Sequence, residues 1–149
     1  MMKANLAKLL KQKHIMQLAT VSSGKPWSCT VYYLADEQLN LYWASTPSRR
    51  HSREIATNPN ISIAIVVSGE KGQEVIGIQA EGTAGMIKEP GDIQPIAKKY
   101  AAAFGRDKQW VDDFSRLKTE HRLYKFTPTS YVLFDDEHFP GDPRQEVTL

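Results

Sequence analysis

Ile15-Met16-Gln17-Leu18-Ala19-Thr20-Val21, the turn Ser22-Ser23-Gly24-Lys25, and residues 27–34, with Thr30-Val31-Tyr32-Tyr33 at their centre, decide the fold of this chain. Both runs are rich in β-branched and aromatic residues, and small turn-forming residues separate them. That pattern predicts two antiparallel strands on a tight hairpin. Residues 35–38 turn the chain again and residues 39–44 run back, which makes a three-stranded meander.

Upstream, Asn5 is expected to cap a helix with Leu6, Leu9 and Leu10 at helical spacing. Lys8, Lys11 and Lys13 fall on its wet side, so it reads as a docking helix rather than a membrane anchor. Downstream, prolines bracket a short polar helix over residues 49–57. Residues 61–67 and 75–87 read as strands, and Gly77, Gly82 and Gly85 suggest bulges in the second. A helix is expected from Asp92, as cap, to Phe104, with Gly105 as its stop. A second helix over residues 109–117 follows, then strands 123–126 and 130–135 joined at Pro128. The tail from Glu137 reads as irregular. Six or seven strands with a few short helices predict a mainly β fold, an antiparallel barrel with accessory helices. It is expected to form a single domain over residues 1–149, with a helical insert at about 92–117.

Bulk properties narrow the function. A chain of 149 residues has room for one core. A net charge of +2 argues against a dedicated nucleic-acid or anionic-membrane binder. The single cysteine, Cys29, excludes an intrachain disulfide and a multi-cysteine zinc site. No run approaches the roughly 18–20 apolar residues needed to span a bilayer. The N-terminus lacks both a long apolar stretch and a small-residue cleavage site, so a cytoplasmic protein is expected.

The chemically informative segment is Ser45-Thr46-Pro47-Ser48-Arg49-Arg50-His51-Ser52-Arg53. Hydroxyls and adjacent arginines sit where a strand ends and a helix begins. A helix N-terminus offers unpaired N–H groups and the positive end of a dipole, and the planar arginine fork binds phosphate oxygens in pairs. The bland alternative is a solvated basic loop partnered by Glu54 or water. Position at the strand–helix junction favours the phosphate.

The ordered set Leu18-Ala19-Thr20-Val21, Pro26, Val31 to Leu34, Asp36, Leu41-Tyr42, Ser48-Arg49-Arg50 and Asn58-Pro59-Asn60-Ile61-Ser62 resembles the FMN-binding split barrel of the pyridoxamine 5'-phosphate oxidase-like family. The resemblance is good over about residues 15 to 87 and loose beyond. It implies a homodimer with FMN between two subunits. It places the FMN phosphate on Arg49 and Arg50, helped by Ser48 and by Ser45 or Thr46. It lays Ser28, Thr30, Val31, Tyr32 and Tyr33 along the flavin, mainly through backbone, with Trp43 and Ala44 at the end of the returning strand. Gln79, or its strand neighbour Gly77, is where a polar group reaches the flavin from the long strand. Tyr33 and C-terminal residues of a neighbouring subunit are expected to shape the open face.

The chain also departs from the true oxidases. Tyr33 stands where they place a lysine. Their tyrosine-and-arginine substrate helix has no match in residues 92–104, nor their C-terminal arginine-and-histidine motif in residues 135–144. Oxidation of pyridoxamine phosphate is therefore not expected. The resemblance implies an FMN-dependent oxidoreductase acting on a small organic substrate or a nicotinamide. The alternatives are a flavin- or haem-binding module without turnover, or a deazaflavin-dependent reductase.

The remaining residues carry weaker signals. His14, His51, His121 and His138 show no metal-ligand spacing, and no metal site is expected. His51 reads as a solvated helix residue that sits in the phosphate loop. Because some split-barrel relatives bind haem through histidine, His51 and His138 stay as outside candidates for it. Asp112-Asp113 and Asp135-Asp136-Glu137 read as solvated faces, and Trp27 and Trp110 as core or interface residues. No Ser–His–Asp set appears, as suits a protein whose cofactor supplies the redox chemistry.

Overall fold

The computed structural model describes residues 2–149. Among them are four helices and eight strands. In chain order these are α1 (Met2–Gln12), β1 (Ile15–Ser22), β2 (Lys25–Tyr32), β3 (Leu34–Ala35), β4 (Leu41–Ser45), α2 (Arg50–Thr57), β5 (Asn60–Ser68), β6 (Ile76–Ile87), α3 (Pro90–Phe104), α4 (Lys108–Ser115), β7 (Arg122–Asp135) and β8 (Arg144–Val147).

Every strand pairing is antiparallel, and the ladder runs β2-β1-β5-β6-β7-β4-β3 with β8 added on β7. The two ends of that ladder, β2 and β3, are consecutive pieces of one chain with only Tyr33 between them. The sheet must therefore curl until its margins meet, which makes a split barrel. At the bend the Tyr33 amide donates to the His14 carbonyl at 2.9 Å. The β1–β2 turn follows its sequence signal: Ser23 and Gly24 both take positive φ, 50° and 72°, as a two-residue primed turn requires.

Alternation fills the barrel. Met16, Leu18 and Thr20 of β1, Ile61, Ile63 and Ile65 of β5, and Ile76, Ile78 and Ala80 of β6 point inward and are buried. Helix α1 closes one end through Leu6 and Leu10, four residues apart on one face. The Tyr33 hydroxyl donates to the Leu10 carbonyl at 2.9 Å, partnering a carbonyl that the helix end leaves free. A second apolar layer lies outside the barrel, where Ile93, Ala97, Ala101, Val111 and Phe114 of α3 and α4 cover Tyr42 and Leu123.

Several expectations are corrected. Asn5 lies one turn inside α1 and does not cap it. Helix α3 starts at Pro90 after the N-cap Glu89, two residues before Asp92, because proline is already set to the helical φ. The strands expected on either side of Pro128 are one strand, β7. A register shift against β6 lets Glu81 face Ser130 while Gly82 faces Pro128, and this bulge accommodates a residue without an amide hydrogen. The tail expected to be irregular contains β8, whose Val147 enters the core beside Tyr131. No helix of the described residues is long and apolar enough to cross a membrane.

Candidate functional site

Helix α2 is short and two-faced. His51, Ser52, Glu54 and Ile55 are buried against the barrel, while Arg50 and Arg53 are exposed. Its N-cap is Arg49, and no side chain caps its first turn, so the leading amides keep donors to offer. Before it the chain leaves β4 at Ser45 and turns through Thr46, whose carbonyl accepts from the Arg49 amide at 3.2 Å. The Thr46 and Ser48 hydroxyls lie 3.3 Å apart at the surface. Arg53 donates to the Ser48 carbonyl and braces the turn from below.

The two arginines differ. Arg49 is exposed, and no carboxylate among the described residues pairs with it. Arg50 donates from Nε to Glu54 at 2.8 Å, and its guanidinium carbon lies 4.2 Å from the centre of the Trp27 ring on β2. Glu54 in turn accepts from the Thr20 hydroxyl on β1. The Thr20 bond, then the Arg50 bond, hold its carboxyl below the usual carboxylate range.

His51 is not the solvated residue expected. It is 8% exposed, and its Nε2 meets the Ser45 hydroxyl at 2.8 Å. Burial first, then the Arg49 charge, push its pKa down, against the pull of Glu54. Ser45 is thereby occupied: Ser52 donates to it at 3.5 Å from the other side. The hydroxyls left at the surface are Ser48, with the half-buried Thr46 beside it.

Strand β2 divides by parity. Ser28, Thr30 and Tyr32 point outward and are exposed, while Val31 packs against the core. Tyr33 is fully buried, and burial raises its hydroxyl pKa above the ordinary tyrosine range. It cannot shape an open face, because the β2–β3 bend turns its ring under α1. Trp43 is likewise fully buried and stacks on Tyr124 inside the barrel. Ala44 is half-buried and faces the helical layer. Gln79 is exposed on the outer face of β6, and Gly77 beside it is partly buried.

Ser28 and Gln79 share a groove of about 890 Å³ on the outer face of β1, β5, β6 and β7. Gln17 and Glu81 also line it, and Arg144 and Leu149 form the rim on the β8 side. The expected residues thus separate into three places: the basic turn with Ser48, Arg49 and Arg50; the groove with Ser28 and Gln79; and the interior with Tyr33 and Trp43. Adjacent β2 residues join the first two, since Trp27 carries Arg50 and Ser28 lines the groove. Trp27 and Thr20 were not read as neighbours of this turn, whereas Glu54 was, as the partner in the bland alternative, and it does take Arg50. The one signal available in the sequence was the i,i+4 spacing of Arg50 and Glu54.

The chain is similar to known proteins in sequence and in shape. It is 25% identical over 99 residues to a UPF0306 protein of Yersinia pseudotuberculosis, which is 65% of this chain and 66% of that protein. The match thus spans just under two thirds of the length of these curated relatives. Among solved structures it superposes on HutZ, the heme storage protein from Vibrio cholerae, with a TM-score of 0.67 at 18% identity, covering 84% of this chain and 88% of that one. It superposes on a FAD-binding protein from Mesorhizobium loti with a TM-score of 0.62 at 15% identity, covering 86% and 90%. At such identities the two likenesses speak for the fold. The family described as "Pyridoxamine 5'-phosphate oxidase" matches residues 2–133, nearly the whole barrel, and the chain belongs to that family.

Proposed function

We propose that this protein binds FMN as a homodimer and works as an oxidoreductase, passing electrons between a small organic substrate or a nicotinamide and the flavin. The observation that carries the reading is the uncapped start of α2, with an unpaired Arg49 and the Ser48 hydroxyl beside it. Donors and positive charge converge there with no protein anion to satisfy Arg49, which is the chemistry a phosphate monoester needs. Family membership supports the same assignment. The bound flavin supplies the redox chemistry; the chain binds and orients it.

Ser48, Arg49 and Arg50 hold the phosphate in this reading. The outward face of β2, through Ser28, Thr30 and Tyr32, runs beside the ring. Gln79 stands in the groove that a second copy covers, and β8 completes its edge. Its lone Cys29, with a thiol pKa raised by burial, suits a reducing cytoplasm. The test is an absorption spectrum of protein purified without added cofactor, followed by FMN titration. Flavin bands and saturable uptake are expected. A colourless protein that takes up no FMN sinks the reading, and mass spectrometry of the bound group separates FMN from a deazaflavin.

One observation favours a second reading, a haem-binding module without turnover. His138 Nδ1 lies 2.9 Å from the buried Asp135 carboxylate, the partner arrangement that orients a histidine for metal ligation through Nε2. HutZ shares the fold. A Soret band on adding haem, absent from His138→Ala, distinguishes it.

A further inference from the structure

Arg50 is tethered in a way that its partner Arg49 is not. Its Nε is taken by Glu54 at 2.8 Å, and its guanidinium lies over Trp27. Glu54 is only 9% exposed and takes the hydroxyl of Thr20, itself 2% exposed, on its other oxygen. The chain of contacts runs from β1 through α2 and out to β2, and it leaves both terminal nitrogens of Arg50 without a protein partner among the described residues. A lone exposed arginine gives up much rotamer freedom when it grips a ligand, and this one has already given it up.

We propose that Glu54, with Thr20 and Trp27, is a positioning residue that presents the two terminal nitrogens of Arg50 to the phosphate of the bound cofactor. The inference rests on the phosphate reading above and adds which residues set the geometry. It also has a sign that simple electrostatics reverses. A carboxylate near an anion site repels the anion, so if only the charge of Glu54 mattered, its removal would tighten phosphate binding. A tether predicts the opposite, because the freed guanidinium must be ordered again at each binding event.

The test is to titrate FMN and riboflavin, which lacks the phosphate, into the unmodified protein, Glu54→Ala, Glu54→Gln and Trp27→Ala, followed by flavin fluorescence. In Glu54→Gln the amide oxygen still accepts from Arg50, and the amide nitrogen donates to a Thr20 hydroxyl that reverses its role. The preference for FMN over riboflavin is expected to fall about tenfold in Glu54→Ala, the scale of one charge-assisted hydrogen bond, and to be largely restored in Glu54→Gln. Trp27→Ala is expected to lower it as well, with riboflavin affinity nearly constant throughout. A preference that is unchanged or raised in Glu54→Ala overturns the inference, as does an equal loss of both ligands, which is the mark of a merely structural role. If the unmodified protein binds no FMN, the phosphate reading falls and the tether's role falls with it. FMN binding with a preference indifferent to Glu54 removes the tether alone.

Discussion

The Trp43 indole stacks on the Tyr124 ring with centroids 5.6 Å apart and planes 14° from parallel, and the two residues are register partners across β4 and β7. Both rings lie inside the barrel, and the indole Nε1 has no hydrogen-bond partner there. Trp43→Ala should cost about 3–5 kcal/mol, the usual scale for deleting a large buried aromatic. Trp43→Phe should cost less than about 2 kcal/mol, because it keeps the stack and removes an unsatisfied donor. Urea unfolding measures both. Flavin content per folded Trp43→Phe protein should match the unmodified chain, since the ring faces away from the proposed site.

Gly82 sits in the bulge of β6, where a Cβ would lie 2.2 Å from the Thr127 carbonyl oxygen and 2.8 Å from the Pro128 Cα. Both neighbours are backbone, which no rotamer change can move. Gly82→Ala should therefore lose about 3 kcal/mol or more, the range of overpacking joined to backbone strain. The control is Gly85→Ala on the same strand, where nothing lies within 4 Å of the added carbon. A Gly82→Ala midpoint in urea equal to that of Gly85→Ala contradicts the argument.

Arg49→Ala with Arg50→Ala removes both cations from the start of α2. Each charge-assisted bond is worth roughly 1.5–3 kcal/mol net, so FMN affinity should fall by at least about two orders of magnitude. The fold should persist, because both side chains are exposed and surface changes of this kind usually cost little. Equilibrium dialysis with a circular dichroism control reads both halves. Undiminished FMN binding would remove the phosphate assignment.

The β7–β8 connection carries a pH dependence. Asp135 is buried and accepts from the His138 amide and ring, both at 3.0 Å through Oδ1. The hydrogen bond to Asp135 first, then its charge, raise the His138 pKa above the ordinary value against a smaller opposition from desolvation, with the least push from Glu137. Protonated His138 favours the folded state, so its contribution is full below about pH 6.5 and is lost as pH rises through the raised value. The stability gap between the unmodified protein and His138→Gln should narrow as pH rises from about 6.5 through the raised value. Denaturant midpoints across that range measure it, and a gap that widens with pH would show the sign to be wrong.

The meander, the long β6 and the basic turn were legible in the sequence because their signals are local. Alternating apolar residues, a Ser-Gly turn and prolines around residues 49–57 act over a few positions each. Strand β8 was not legible: Arg144–Val147 holds one apolar residue, and it is a strand only because β7 offers a free edge. Pro128 was over-read as a break because a bulge that tolerates proline depends on the partner strand.

By itself the sequence determined most of the strands and the turns between them, though not β8, and that hydroxyls and arginines gather before a short helix. Tertiary structure decided which way the side chains face. The bend at Tyr33 sends its ring under α1 and closes the barrel, so the side chains of Tyr33 and Trp43 lie in the core. It also joined Thr20 to Glu54, 34 positions apart, and laid Arg50 on Trp27. Periodicity acts within a few residues, whereas the direction of a side chain and its distant partner follow from sheet curvature, which arises only when all the strands pair.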